Sequence, residues 1–165
     1  KGFADLRKAG LAEELPVMNI VQAEGSNAIV RSAREGRETV IASASTIADS
    51  LSVRRPAAGV MALRFLSETR GRAVQVTDQE IREAQAELAR DAGVFVEPSS
   101  AAAWAGFLKD MPNVDPESTI VVLLTGTGFK DTAAAEELVS MPASCPPTLE
   151  EAAKFLSDTY GINAG

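Results

Sequence analysis

Residues 118–131 read STIVVLLTGTGFKD, and their interpretation decides what kind of fold the chain builds. Ile120 to Leu124 form an uninterrupted apolar run. It is far shorter than the ~18 residues a membrane helix needs, and it lacks the alternation of a half-exposed strand. The run predicts a strand buried on both faces, as in a parallel sheet covered by helices. It ends in Thr125-Gly126-Thr127-Gly128, so the question is what this strand end presents.

Outward from that stretch, strand and helix signals alternate. On its amino side, VFVEP (94–98) predicts a strand, after which Ser99 or Ser100 is the expected cap of a helix over AAAWAGFLKD. Further back, AVQV (73–76) is a short strand followed by the capping box Thr77-x-x-Glu80, with Val76 and Ile81 spaced as a hydrophobic staple. Ile81, Ala84, Leu88 and Ala92 carry that helix to Gly93. VMNIVQAEG (17–25) predicts a strand ending at Glu24-Gly25, with Ser26 as cap of a helix through about Arg34 that stops at Gly36. TIADSLSVRRP (46–56) is irregular, and Pro56 is the expected first residue of a helix carrying Val60, Leu63, Phe65 and Leu66. At the amino end, residues 3–11 place Phe3, Leu6 and Leu11 on one helical face without a cap. After the opening stretch come a helix over TAAAEELVS, a linker MPASCPP, and a final helix from the box Thr148-x-x-Glu151 to about Tyr160.

The alternation predicts an α/β fold, a doubly wound and mostly parallel sheet with helices on both faces. Ligands of such sheets bind outside the carboxyl ends of the strands. Four segments therefore qualify as candidates: Glu24-Gly25, Thr77-Asp78, Glu97 to Ser100, and Thr125 to Gly128. Helix capping accounts for Thr77. On the residues alone Thr125 reads as an ordinary strand end, whose hydroxyl bonds a neighbouring carbonyl, ahead of a ligand contact. Glu97 is held extended by Pro98, which a cap alone does not require. No GxxxxGK[ST] or GxGxxG loop follows any strand.

Composition narrows the function classes. Among 165 residues, 16 basic and 23 acidic side chains give a net charge of −7 without a basic stripe, which disfavours nucleic acid. There is no histidine, and the single Cys145 has no partner for a disulfide, zinc or a thiolate mechanism, so it is expected to be an inert thiol. No metal site is expected. No apolar run approaches ~18 residues and no signal segment opens the chain, so a cytoplasmic protein away from membranes is expected.

VQAEG, TIADSLSVRRP, GVFVEPSSAAAWAG and VVLLTGTGFKD, in this order and spacing, resemble the carboxyl-terminal part of threonine synthases. These are members of the fold-type-II pyridoxal-phosphate enzymes, with the serine and threonine dehydratases as cousins. The resemblance covers about residues 1–135. It implies that residues 1–140 are the distal part of the large α/β domain, with residues 141–165 a linker and terminal helix. It implies pyridoxal 5'-phosphate as cofactor, a small amino-acid substrate and a homodimeric whole. By carry-over, Thr125 donates its hydroxyl to the pyridine nitrogen, with Gly126 beside it and Glu97 near the cofactor. Relatives carry His where this chain has Thr127 and Leu where it has Phe129.

GFKD (128–131) imitates the family's Schiff-base lysine segment. Lys130 is nevertheless rejected for that role, because it follows the TGxG strand end and too little of the fold comes after it. The other lysines read as solvated charges. The Schiff-base lysine and phosphate cup are thus expected outside this chain, and no catalytic residue is expected within it. The implied reaction of the whole enzyme is O-phosphohomoserine plus water to threonine plus phosphate. The alternatives are a dehydratase-type ammonia-lyase and a free-standing binding module.

Overall fold

A computed structural model describes residues 1–37, 43–139, 144–145 and 147–162. Two short strands, β1 (Ile20–Ala23) and β2 (Ala73–Val76), pair in parallel with Ile20 opposite Ala73 and Ala23 opposite Val76. A parallel pair needs a crossover. Here it runs through α2 (Ala28–Glu35) and α3 (Gly59–Glu68). Helices α4 (Asp78–Asp91) and α5 (Pro98–Asp110) follow β2, and α1 (Gly2–Lys8), α6 (Thr132–Glu136) and α7 (Leu149–Tyr160) complete the described α-helices, with short 3-10 turns such as Asp49–Leu51 and Gly128–Lys130 between elements.

Successive side chains of a strand point to opposite faces, and β1 shows what lies on each. Val21 packs against Gly106 of α5, where any Cβ would collide with the valine side chain, so glycine sets how closely this helix approaches the sheet. The next residue, Gln22, turns to α2, and its Oε1 accepts the Ile29 and Val30 amides at 2.8 and 3.0 Å. Helices therefore cover both faces, as the alternation predicts. The core between them is small-sided: Ala23, Ala48, Val76, Ile81, Ala84, Leu88, Val96, Ala101, Ala102 and Ala105 are all buried. Among the described residues no helix is long and apolar enough to cross a membrane.

Local signals hold where the partner is local. The Thr77–Glu80 capping box closes in both directions, with Glu80 N–H to Thr77 Oγ1 at 3.1 Å and Thr77 N–H to Glu80 Oε2 at 2.6 Å. Gly36 ends α2 in the left-handed region. Thr148 caps α7 by accepting the Glu151 amide at 3.4 Å, although its own hydroxyl, rather than its backbone, meets the glutamate carboxylate.

Other expectations are corrected. Ser26 does not cap α2, because Gln22 already accepts the first free amides of that helix; Ser26 Oγ donates instead to Leu51 O at 2.7 Å. Pro56 precedes α3 rather than opening it, and the helix starts at Gly59. The amino-terminal helix stops at Lys8, leaving Leu11 76% exposed. Ala92 lies on the surface beyond the end of α4. VFVEP is no strand: its one pairing is an isolated antiparallel bridge between Val96 and Thr127. Ser99 and Ser100 lie inside α5, whose N-cap is Glu97 with Pro98 at the first helical position.

The largest correction concerns the opening stretch. Among the described residues Ile120–Leu124 joins no sheet, and Val121 and Leu123 are 83% and 70% exposed. An apolar run becomes a buried strand only when neighbouring strands and a helical layer reach it. Here Leu124 alone of the five packs against the core. The helix predicted over 132–140 is confined to Thr132–Glu136. Of the linker, residues 141–143 and 146 lie outside the described residues, and Cys145 is exposed.

Candidate cofactor-binding edge

The four candidate segments fall into two groups. The first two serve a neighbouring loop. Gly25 O accepts Ser45 N–H at 3.1 Å, Ser26 Oγ accepts Val53 N–H at 3.0 Å, and the Asp78 carboxylate accepts Thr46 Oγ1–H at 2.5 Å and Ile47 N–H at 3.2 Å. Loop 43–53 is thereby clamped to the carboxyl ends of both strands. Glu24 accepts from Gln75 Nε2 at 3.1 Å, which places it in the strand pair's own polar network.

The other two segments meet each other. Glu97 N–H donates to Gly126 O, and Gly128 N–H donates to Phe95 O, each at 3.1 Å. Gly126 N–H donates to Ser100 Oγ at 2.7 Å, and that oxygen stands 3.3 Å from Thr125 Oγ1. The Glu97 carboxylate lies against Gly126, in the space a Cβ there would occupy. Thr125, Gly126 and Glu97, taken together from the sequence, are thus neighbours in space. Ser100, which the sequence suggested only as a cap, joins them. Pro98 was the available signal: proline favours the first helical position, which puts the cap at Glu97 and frees both serines.

The hydrogen-bond directions have a chemical consequence. Ser100 Oγ takes the Gly126 amide proton and can give its own proton to Thr125 Oγ1. The Thr125 hydroxyl then has its proton free to donate outward, and the residue is exposed. A cleft of about 390 Å³ is lined by Asp49 and Ser50 of the clamped loop, by Glu97, Pro98 and Ser99 at the start of α5, and by Lys130 and Asp131; of the trio Thr125, Gly126 and Glu97, it is Glu97 that lines it. Lys130 therefore stands on the same cleft as Glu97. Its neighbour Asp131 caps α6 by accepting the Ala134 amide at 3.2 Å. No group of His, Cys, Asp or Glu among the described residues has metal-binding geometry.

Behind the edge, α4 and α5 are tied by Glu80 and Lys109 at 2.8 Å. Burial pushes the Glu80 carboxyl up, but the bonds from Lys109 and Thr77 outweigh it and hold the group below its ordinary value. At the same end of α5, Arg72 forks onto Asp110 with Nε at 2.9 and 2.8 Å from the two carboxylate oxygens.

A parallel strand pair with helices on both faces is the architecture of an α/β layer, and the exposed Thr125 hydroxyl stands beside its helix α5. The sequence profile of the pyridoxal-phosphate dependent enzymes matches residues 2–126, and the chain belongs to that family. It is 39% identical over 139 residues to the threonine synthase of Methanocaldococcus jannaschii, which covers 82% of this chain and 34% of that protein. It is 36% identical over 164 residues to the threonine synthase of Halalkalibacterium halodurans, covering 98% of this chain and 44% of the relative. The chain thus spans between about a third and under a half of these relatives' length. Solved structures share its fold: the L-serine ammonia-lyase of Rhizomucor miehei at TM-score 0.63, 23% identity, 84% of this chain and 45% of that one. The serine racemase of maize follows at TM-score 0.54, 22% identity, 72% of this chain and 37% of that one.

Proposed function

We propose that residues 1–140 are the distal part of the cofactor domain of a threonine-synthase-like enzyme, that residues 141–165 are its linker and terminal helix, and that Thr125, Gly126 and Glu97 border pyridoxal 5'-phosphate. The whole enzyme converts O-phosphohomoserine and water to threonine and phosphate. The identity to threonine synthases along most of the chain supports the reaction. The single observation carrying the site is the Gly126–Ser100–Thr125 hydrogen-bond chain, in which the Ser100 hydroxyl accepts the Gly126 amide and can donate to Thr125, so that the exposed Thr125 hydroxyl is able to donate to a ligand.

The residues present fit one edge of the cofactor. Thr125 Oγ1 would donate its proton to the pyridine nitrogen, Gly126 would let the backbone come close, and the Glu97 carboxylate would border the ring. When bound, the cofactor supplies an electron sink for chemistry on the amino-acid substrate. This chain's contribution is to moderate that sink: a neutral hydroxyl, unlike an aspartate, leaves the ring nitrogen largely unprotonated. The Schiff-base lysine and the phosphate cup lie in the length of the relatives that this chain does not match.

The test is Thr125→Val in the enzyme carrying this chain, assayed by phosphate release from O-phosphohomoserine and by cofactor absorbance. Wild-type turnover and an unchanged spectrum sink the assignment of Thr125. Ammonia release from threonine or serine without phosphate release from O-phosphohomoserine moves the reaction to the dehydratase type.

A further inference from the structure

Gln85 is a side chain the proposed chemistry does not use and the core does not explain. It sits on the buried face of α4 between Ala84 and Leu88 and is 1% exposed. Its Nε2 donates to Val96 O at 2.7 Å, while its Oε1 is buried with no partner among the described residues. Buried polar atoms nearly always find partners, so this orphan asks for a reason.

Stability does not supply one. With methionine at this position, Val96 O would lose its partner, and the Oε1 orphan would vanish with the amide. The count of unsatisfied acceptors stays the same, while apolar burial increases. A core selected for stability alone would therefore take the apolar residue. What only the amide provides is a directional tie to one carbonyl.

That carbonyl belongs to the segment holding the proposed site. Val96 is bridged to Thr127, and the bridge's hydrogen bonds run from Glu97 N–H to Gly126 O and from Gly128 N–H to Phe95 O. They leave Val96 O for Gln85. This single-bridge pairing has no further ladder to keep it in register. Gln85 fastens its back to α4, which is itself packed on α5, the helix carrying Ser100.

We infer that Gln85 is a positioning residue: through the Val96 carbonyl it sets where Glu97 and the Thr125–Gly126 strand end stand. The inference rests on the reading that Thr125 and Glu97 border the cofactor. Its test uses no cofactor, so the two can fail separately.

The experiment is native-state amide exchange on the cofactor-free enzyme carrying this chain, comparing protection factors in wild type and Gln85→Met, alongside thermal melting. The expected result is a melting temperature equal to or above wild type, with protection at Glu97, Gly126 and Gly128 falling about tenfold or more and that at Ile81 and Leu88 in α4 unchanged. A uniform loss of protection, no loss at the three site amides, or a Gln85→Met chain that unfolds makes the residue structural and overturns the proposal. Gln85→Glu is the second variant. As a protonated acid it donates to Val96 O again, so protection at the three amides returns as pH falls through that carboxyl's titration. A profile independent of pH overturns the inference.

Discussion

The Thr125 hydroxyl stands 3.3 Å from the hydroxyl of Ser100, a residue one turn into α5 that is itself 1% exposed. The strand-end oxygen is therefore oriented by a buried partner. Thr125→Val removes its donor while keeping the β-branched shape, and in the enzyme carrying this chain turnover should fall by the equivalent of about 1–3 kcal/mol. Thr125→Ser should retain most activity. Thr125→Asp should protonate the ring nitrogen and redirect the reaction toward racemisation or transamination. Thr77→Val, the control, should lose about 0.5–2 kcal/mol of stability by denaturant unfolding without moving the cofactor's spectrum.

Lys130 borders the cleft, yet the chain by itself should form no stoichiometric adduct there. Titration with pyridoxal phosphate, borohydride reduction and peptide mapping should give scattered low-level labelling of exposed lysines. A single site-specific adduct at Lys130 would reinstate it as the Schiff-base lysine.

Acid should weaken the Arg72–Asp110 tie. Burial pushes the Asp110 carboxyl up, but hydrogen bonds from Arg72 and Asn113 and the charge of Arg72 prevail and hold it below its ordinary 3.8. A carboxyl depressed in the folded state adds stability that is fully present above its unfolded value and is lost as pH falls through the folded one. Asp110→Asn should therefore cost about 1–3 kcal/mol near neutral pH and flatten the decline below 3.8. Urea unfolding at several pH values checks this; parallel profiles for the two proteins count against it.

Arg70 adopts φ 56°, the left-handed region, at the end of α3. It occupies the middle of a Schellman turn, with Arg70 N–H to Ser67 O at 3.2 Å and Gly71 N–H to Leu66 O at 2.8 Å. An L side chain there costs about 1–2 kcal/mol, of which glycine's larger unfolded-state entropy offsets about 0.5–1. Arg70→Gly should raise stability by about 0.5–1 kcal/mol, and Arg70→Val should lower it. Thermal melts of the two variants decide.

The segment Ile120–Leu124 exposes apolar side chains and, among the described residues, pairs with no strand, a combination that invites edge-to-edge association. The described chain should self-associate in sedimentation experiments, and a Val121→Lys, Leu123→Lys double variant should do so less. A monodisperse wild-type chain that melts cooperatively would favour the free-standing module.

Features whose partners lie a few residues away could be read from the residues alone. The Thr77–Glu80 box, the stop at Gly36, the short strands Ile20–Ala23 and Ala73–Val76 and the helices after them follow from backbone preferences and local hydrogen bonds. Thr125, Gly126 and Glu97 were singled out partly as strand-end chemistry and partly through family resemblance, and that they touch one another was decided by the folded chain. The remainder depended on the folded chain. Whether Ile120–Leu124 is a buried strand depends on neighbours the run cannot specify, and its exposure shows that an apolar run states a demand for cover rather than its presence. Ser26 and Ser100 have the composition of caps, but each found a partner far along the chain: Ser26 at Leu51 and Val53, Ser100 at Gly126. A short hydroxyl takes whichever backbone group the packing brings within about 3 Å, and only the three-dimensional arrangement determines which one that is.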